Sequence, residues 1–340
     1  MLHAFSDVLS SFKVFGGIKR FINFRKQLFC MGSKNVISFQ NVVKRFGKRN
    51  ILSSLNLGIP QGSFFGIVGL SGSGKTTLLN LLIGFLKPTS GIVLFDDKDT
   101  WKYKRHISNF FGFSTQGGST YDNLTVEENL RYFGKLYNMS NKDIEPRINE
   151  LLKLVELAGN EDLLASQLST GMQRRLDIAC SLMHDPRVLV LDEPTKDLDP
   201  MLRKEILAML KKINHAGMTI VMTSHLLDEI ETVSDYLAVL HNGKILCCDS
   251  PLALKNKYSK NMELQLRTTP GDYESLAKHM HKLNIDKIVV KPGSIISYFE
   301  DTEQILPRIW EIAKKNKEKI IELKISKPSI EEIFEAITKK

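Results

Sequence analysis

GLSGSGKTT, Gly69 to Thr77, is the stretch on which the reading of this 340-residue chain turns. Just before it, SFFGIVG (Ser63–Gly69) is a short continuous apolar run, as expected of a strand buried on both faces. Just after it, TLLNLLIG carries a helical pattern. Strand, glycine loop and helix in that order are the setting of a phosphate-binding loop. Gly69, Gly72 and Gly74 let the backbone turn tightly and approach an anion. The freed N–H groups of Gly69, Leu70, Ser71, Gly72, Ser73, Gly74, Lys75, Thr76 and Thr77, with the positive helix end, then cradle phosphate oxygens. Lys75 reaches the outer phosphates as a point charge, and the Thr76 hydroxyl can ligate magnesium.

Further along, RVLVLDEP (Arg187–Pro194) reads as a central parallel strand ending in two acids. Ligands in such sheets bind at the carboxyl ends of the strands. Asp192 is placed to hold magnesium, and Glu193 to act as base or orienter for an attacking water. VISFQNV (Val36–Val42) and LNLGI (Leu55–Ile59) read as strands, with turn residues Pro60-Gln61-Gly62 after the second. A second glycine-bearing loop, LSTGMQRRLD (Leu168–Asp177), lies far from the first. Taken alone, it is either an ordinary helix N-cap by Ser169 or Thr170 or a second phosphate contact.

GLSGSGKTT, LSTGMQRRLD, LVLDEPTKDLD and MTSH occur in the order and spacing of the nucleotide-binding subunits of ATP-binding cassette transporters, which the chain resembles from about Val36 to Asp249. The resemblance implies an α/β P-loop NTPase cassette with a RecA-like core, an antiparallel β subdomain and a helical subdomain at about 117–185. It implies ATP and Mg2+ as cofactors and ATP hydrolysis as the activity. Two cassettes would pack head to tail, with each ATP between the phosphate loop of one and the signature loop of the other. Ser169 and Gly171 would then contact ATP held by a partner subunit, and Asp199 would speak across the dimer. Phe46 matches the aromatic that stacks on adenine. Gln116 matches the glutamine that meets magnesium and water, and His225 the histidine at the terminal phosphate. Thr170, Met172 and Lys196-Asp197 depart from the commonest motifs; the last pair puts charge at the expected dimer interface and hints at a non-identical partner.

Composition agrees with a globular protein: 42% hydrophobic, 25% charged, with a net charge of +9. The charge is uneven. Residues 1–34 hold Lys13, Lys19, Arg20, Arg25, Lys26 and Lys34 against one acid, Asp7. The remainder is only mildly basic, so no nucleic-acid partner is expected. Phe5, Val8, Leu9, Phe12 and Phe15, then Ile18, Phe21, Ile22, Leu28 and Phe29, recur at helical spacing on either side of Gly16-Gly17. Such a basic amphipathic extension can lie on an anionic membrane surface, pack on a partner subunit, or precede a true start at Met31. Cys30, Cys180, Cys247 and Cys248 have neither metal-ligand nor disulfide-framework spacing, as in a reducing cytosol. No apolar run reaches the roughly 18 residues of a membrane span, so any membrane role is expected to be peripheral or through a partner; the resemblance implies the cytoplasmic face of the membrane.

After Ser250-Pro251 the pattern becomes strand, helix, strand, strand, helix, strand, the order of a small ferredoxin-like α+β unit. Ser329 and Glu332 have capping-box spacing for a last helix. SIEEIFEAI resembles the end of cassette subunits of two-component exporters for drugs, polysaccharides or lipids. The expected organisation is thus an extension at 1–34, an ATPase domain at 35–250 and an accessory domain at 251–340, serving as dimerisation appendage or ligand sensor. The expected function is the ATPase subunit of an exporter that works through a separate integral-membrane subunit and a second cassette, identical or not. An importer ATPase or a non-transport cassette protein is the alternative.

Overall fold

The computed structural model describes residues 35–258, 262–283, 285–300, 302–327, 329, 331, 332 and 334. The extension at 1–34, and the amphipathic pattern read in it, lie outside the described residues. The chain divides into two compact units. One runs up to His225 and takes in Val233–Asp249; the other holds Leu226–Thr232 and the residues from Ser250 onward. No helix among the described residues is long and apolar enough to cross a membrane.

In the first unit, β1 (Asn35–Phe46) and β2 (Arg49–Pro60) form a long antiparallel hairpin. Its turn is possible because Gly47 takes a left-handed φ of 56°. β4 (Ser90–Phe95) and β5 (Lys98–Asp99) extend it into a four-stranded sheet in the order β2-β1-β4-β5. This is the antiparallel subdomain expected from the resemblance.

A second sheet has six strands in the order β10-β9-β3-β8-β7-β6. Its members are β3 (Phe64–Val68), β6 (Phe111–Ser114), β7 (Val188–Asp192), β8 (Thr219–Ser224), β9 (Tyr236–His241) and β10 (Lys244–Asp249). All pairs are parallel except β9 with β10. Every residue of β3, β7 and β8 is buried, which is why the β3 and β7 segments read as short apolar runs. The helices that connect them are α1 (Lys75–Leu82), α2 (Lys104–Ile107), α3 (Val126–Leu136), α4 (Asn141–Leu154), α5 (Thr170–Leu182) and α6 (Pro200–His215). α3, α4 and α5 occupy the region where helices were expected; α3 opens with a complete capping box between Thr125 and Glu128. Leu78, Leu79, Leu81 and Leu82 of α1 join Phe65, Ile67, Val190 and Val221 in one core cluster. Each such side chain contributes about 1.5–3 kcal/mol on burial, so the helix that follows the phosphate loop is anchored from below.

The second unit carries α7 (Leu227–Val233), α8 (Pro251–Tyr258) and a four-stranded antiparallel sheet with two helices. β11 (Met262–Thr269), α9 (Tyr273–Met280), β12 (Lys287–Lys291), β13 (Ser294–Phe299), α10 (Thr302–Lys315) and β14 (Lys319–Ser326) follow in that order. The strand order β12-β13-β11-β14 is that of the ferredoxin-like unit expected from the alternation of periods. Leu264, Leu266, Ile295 and Phe299 of the sheet pack with Leu276, Met280, Ile305 and Ile309 of the helices. Ser329 and Glu332 form their capping box: Ser329 N donates to Glu332 Oε2 at 3.3 Å, and Glu332 N to Ser329 Oγ at 3.2 Å.

Candidate functional site

Four parallel strands end on the same edge of the six-stranded sheet. The glycine loop follows β3, the Gln116 loop follows β6, Asp192 and Glu193 close β7, and His225 follows β8. This is the edge at which ligands bind in open α/β sheets.

The loop is shaped by its glycines. Gly72 and Gly74 have φ of 79° and 108°, in the region that disfavours side chains. A Cβ on Gly74 would lie 2.9 Å from Leu52 Cδ2, and one on Gly69 only 2.3 Å from the carbonyl oxygen of Leu240 in β9. Space around Gly72 is open. The Lys75 side chain is buried and turned back along the loop, donating to Gly69 O at 2.9 Å and Leu70 O at 3.4 Å.

A chain of polar contacts runs on from this lysine. Lys75 Nζ lies 3.0 Å from Glu193 Oε1, and His225 Nδ1 lies 2.9 Å from Glu193 Oε2. Burial works to raise the Glu193 carboxyl, but the Lys75 hydrogen bond and charge, then those of His225, outweigh it and hold it below the usual range. Glu193 has a left-handed φ of 49°, an uncommon conformation for a non-glycine residue. Its backbone N–H donates to Thr223 Oγ1 at 3.0 Å, and Thr223 Oγ1 donates to Asp192 Oδ1 at 2.6 Å. Thr76 Oγ1 donates to Asp192 Oδ2 at 2.7 Å. The two β7 acids are thereby separated: Asp192 faces the hydroxyl of the loop, Glu193 the lysine and the histidine.

A cavity of about 330 Å³ opens over this arrangement. Ser71, Gly72, Gly74, Lys75, Thr76, Thr77, Gln116 and Glu193 line it, so the loop and the ends of β6 and β7 converge there. Asp192 sits below, through Thr76. Leu70 is exposed, while Ser73 is buried with its hydroxyl lacking a hydrogen-bond partner. Phe46, at the end of β1, is half exposed with Lys44 Nζ 4.7 Å above its ring; it is not among the lining residues. Arg49 and Lys196, for which the sequence assigned no phosphate contact, do line the cavity.

Ser169, Gly171 and Asp199 stand apart from it. Ser169 caps α5, accepting from Met172 N at 3.3 Å. Asp199 caps α6, accepting from Met201 N and Leu202 N at 2.9 and 3.0 Å. Gly171 abuts α6, where an added Cβ would meet Leu202 Cδ2 at 3.0 Å. Ser169 is thus a helix cap in this chain, and its hydroxyl remains at an exposed N-terminus.

Two functional positions within LSTGMQRRLD escaped sequence reasoning. Arg174 donates to Thr115 O at 3.2 Å and Gln116 O at 3.0 Å. Asp177, buried and pushed up by that burial, accepts from Ser119 N at 2.7 Å and from the Ser114 hydroxyl. The helix behind the signature loop therefore grips the Gln116 loop from below. An arginine three residues before an acid on a helical stretch is the signal the sequence offers.

Comparison with known proteins agrees with this fold. Residues 52–196 match the family model described as ABC transporter. The bacitracin transport ATP-binding protein BcrA of Bacillus licheniformis is 30% identical over 300 residues, covering 88% of this chain and 96% of that protein. The linearmycin resistance ATP-binding protein LnrL of Bacillus subtilis is 28% identical over 314 residues, 89% of this chain and 98% of its own length. Among solved structures, cbiO1 of Clostridium perfringens, part of the ABC transporter complex cbiONQ, superposes with a TM-score of 0.62 at 25% identity over 74% of this chain and 96% of that chain.

The fold and site define a P-loop ATPase cassette. The chain belongs to the ATP-binding proteins of ABC transporters and is an ATP-binding, ATP-hydrolysing subunit of the exporter type.

Proposed function

We propose that the chain binds magnesium and ATP over Gly69–Thr77 and hydrolyses ATP in a site completed by a second cassette, driving export through a separate membrane-spanning subunit. The observation that carries this reading is the convergence of Lys75, Glu193 and His225 at the edge of the phosphate-loop cavity. Lys75 would leave Glu193 for the outer phosphates. Glu193, kept ionised by its neighbours, would then accept a proton from the attacking water. His225 would orient Glu193 and contact the terminal phosphate. Phe46 would stack on the adenine.

The donor set fits magnesium. A hydroxyl and a carboxylate from Thr76 and Asp192 lie side by side, with the Gln116 amide on the same cavity, all hard oxygen ligands. Among the described residues no group of three or more His, Cys, Asp or Glu is placed for a metal. Two or three protein oxygens suit an ion that completes its shell with water and substrate phosphates. Bound there, it would offset charge on the phosphate oxygens.

Ser169 and Gly171 would reach ATP on the partner cassette; the exposed N-terminus of α5 supports this, since it carries a positive dipole and free N–H groups. Residues 35–250 would be the ATPase domain and 251–340 an accessory one. The extension at 1–34 would help hold the protein at the cytoplasmic face of the membrane. That cbiO1 is part of a multisubunit transporter complex supports a membrane partner. The test is magnesium-dependent ATP hydrolysis by the purified chain. Lys75→Ala should lower ATP affinity by roughly 10- to 150-fold, the worth of a hydrogen bond to a charged group, with an unchanged circular dichroism spectrum. Equal ATPase activity in the variant would reject the site.

A further inference from the structure

We propose that Lys196 is a second phosphate-binding lysine, and that it makes the site favour ATP over ADP. This rests on the reading of the cavity as the ATP site. Lys196 lies in the loop after β7, where charge was expected to matter only between subunits. Instead it lines the chain's own cavity with Ser71, Gly72, Lys75 and Glu193.

The loop holds it there. Lys196 N donates to Glu193 O at 3.1 Å, closing a tight turn directly after the left-handed Glu193. Thr195 is buried beneath, and Asp197 leaves the turn with its own left-handed φ of 62°. Lys196 is therefore carried on a hydrogen-bonded turn that begins at the acid beside Lys75.

The two lysines differ in their surroundings. Lys75 is engaged by Glu193 and two loop carbonyls. The Lys196 ammonium has no ion pair or hydrogen bond among the described residues, and it shares the cavity with the N–H groups around Gly72. An ammonium left with its own charge beside an anion cradle adds Coulomb attraction for the most highly charged ligand. It lines the cavity with Glu193 and Lys75, the side chains read as serving the outer phosphate. ADP lacks that group, so Lys196 should act more on ATP than on ADP.

The test is equilibrium binding of ATP and ADP, each with magnesium, to the full chain at concentrations where sedimentation shows a monomer. Lys196→Met should weaken ATP about tenfold and ADP less than about threefold, while Lys196→Arg should restore most of the preference. Loss of the ATP preference must also shrink with added salt, as for a partly solvated charge. Equal ATP affinity in Lys196→Met and the wild type would overturn the proposal, as would equal weakening of ATP and ADP. Lys75→Ala serves as the control. If neither wild type nor Lys196→Met binds ATP, the reading of the cavity itself fails, a result distinct from unaltered binding on substitution of Lys196.

Discussion

Lys75 and Glu193, both lining the phosphate-loop cavity, form a nearly buried ion pair 3.0 Å long. The pair joins two motifs more than a hundred positions apart in the chain, and it sets the protonation of the candidate base.

Lys75→Met removes the main partner that holds the Glu193 carboxyl low, so its pKa should rise. A carboxylate whose folded pKa is depressed adds stability above its unfolded pKa, and that stability is lost as pH falls through the folded value. Thermal unfolding should therefore separate wild type from Lys75→Met at neutral pH, with wild type the more stable. The gap should close on acidification. A gap that is constant from neutral pH into the acid range would mean that the pair does not set the Glu193 pKa.

Glu193→Gln keeps the shape of the side chain and loses the base. Turnover should fall about 10²- to 10⁴-fold with ATP binding retained. Size exclusion in ATP should then reveal an accumulated dimer. Wild-type turnover by this variant would remove Glu193 from the chemistry.

The head-to-tail arrangement is tested by complementation, assuming the cassette pairs with itself. Gly171 is a poor place for the signature lesion because its Cβ would press on Leu202 of the same chain. Ser169→Asp is better: Asp caps a helix as well as Ser does, yet repels phosphate. Mixing Lys75→Ala with Ser169→Asp, each also carrying Glu193→Gln, should yield mixed dimers that retain ATP at one intact site, where neither parent does. Mixed dimers devoid of ATP would show that the signature serves its own chain.

Arg174 should transmit, not bind. Arg174→Ala should cost about 1–3 kcal/mol of stability by releasing Thr115 and Gln116 carbonyls and leaving Asp177 buried without its cation. Monomer affinity for ATP should hold while turnover falls about tenfold. A variant with lost affinity and unaltered turnover at saturating ATP would contradict this coupling role.

The extension can be tested by flotation with anionic liposomes, comparing the full chain with one begun at Met31. Binding that depends on residues 1–30 and weakens at high salt is expected of a basic surface. Salt-independent binding would sink that reading.

Much of the site was legible because its parts are local. A buried strand, three glycines and a lysine occupy consecutive positions, so GLSGSGKTT reports its own geometry. The C-terminal unit was legible for a different reason: its strands and helices alternate with clear periods, and few topologies satisfy that order. What could not be read was the pairing of distant side chains. Nothing in LVLDEP says that Glu193 will face Lys75, or that the following turn will aim Lys196 into the cavity. The strands read at Val36–Val42 and Leu55–Ile59 are longer than their patterns: Phe46 and Arg49 pair as the last rungs of two twelve-residue strands, because Gly47 allows a tight reversal. The signature stretch showed its cap but hid Arg174 and Asp177, whose meaning depends on where β6 ends.

The packing of Gly69 against Leu240 has an implication for biosynthesis. β9 walls one side of the phosphate loop and hydrogen-bonds along β3, but it is translated after every nucleotide motif, following His225. A nascent chain thus carries all its phosphate ligands before it has the strand that holds their loop in shape. ATP should be unable to template folding on the ribosome until Tyr236–His241 has emerged, and fragments ending before that strand should be invisible to nucleotide despite containing each motif.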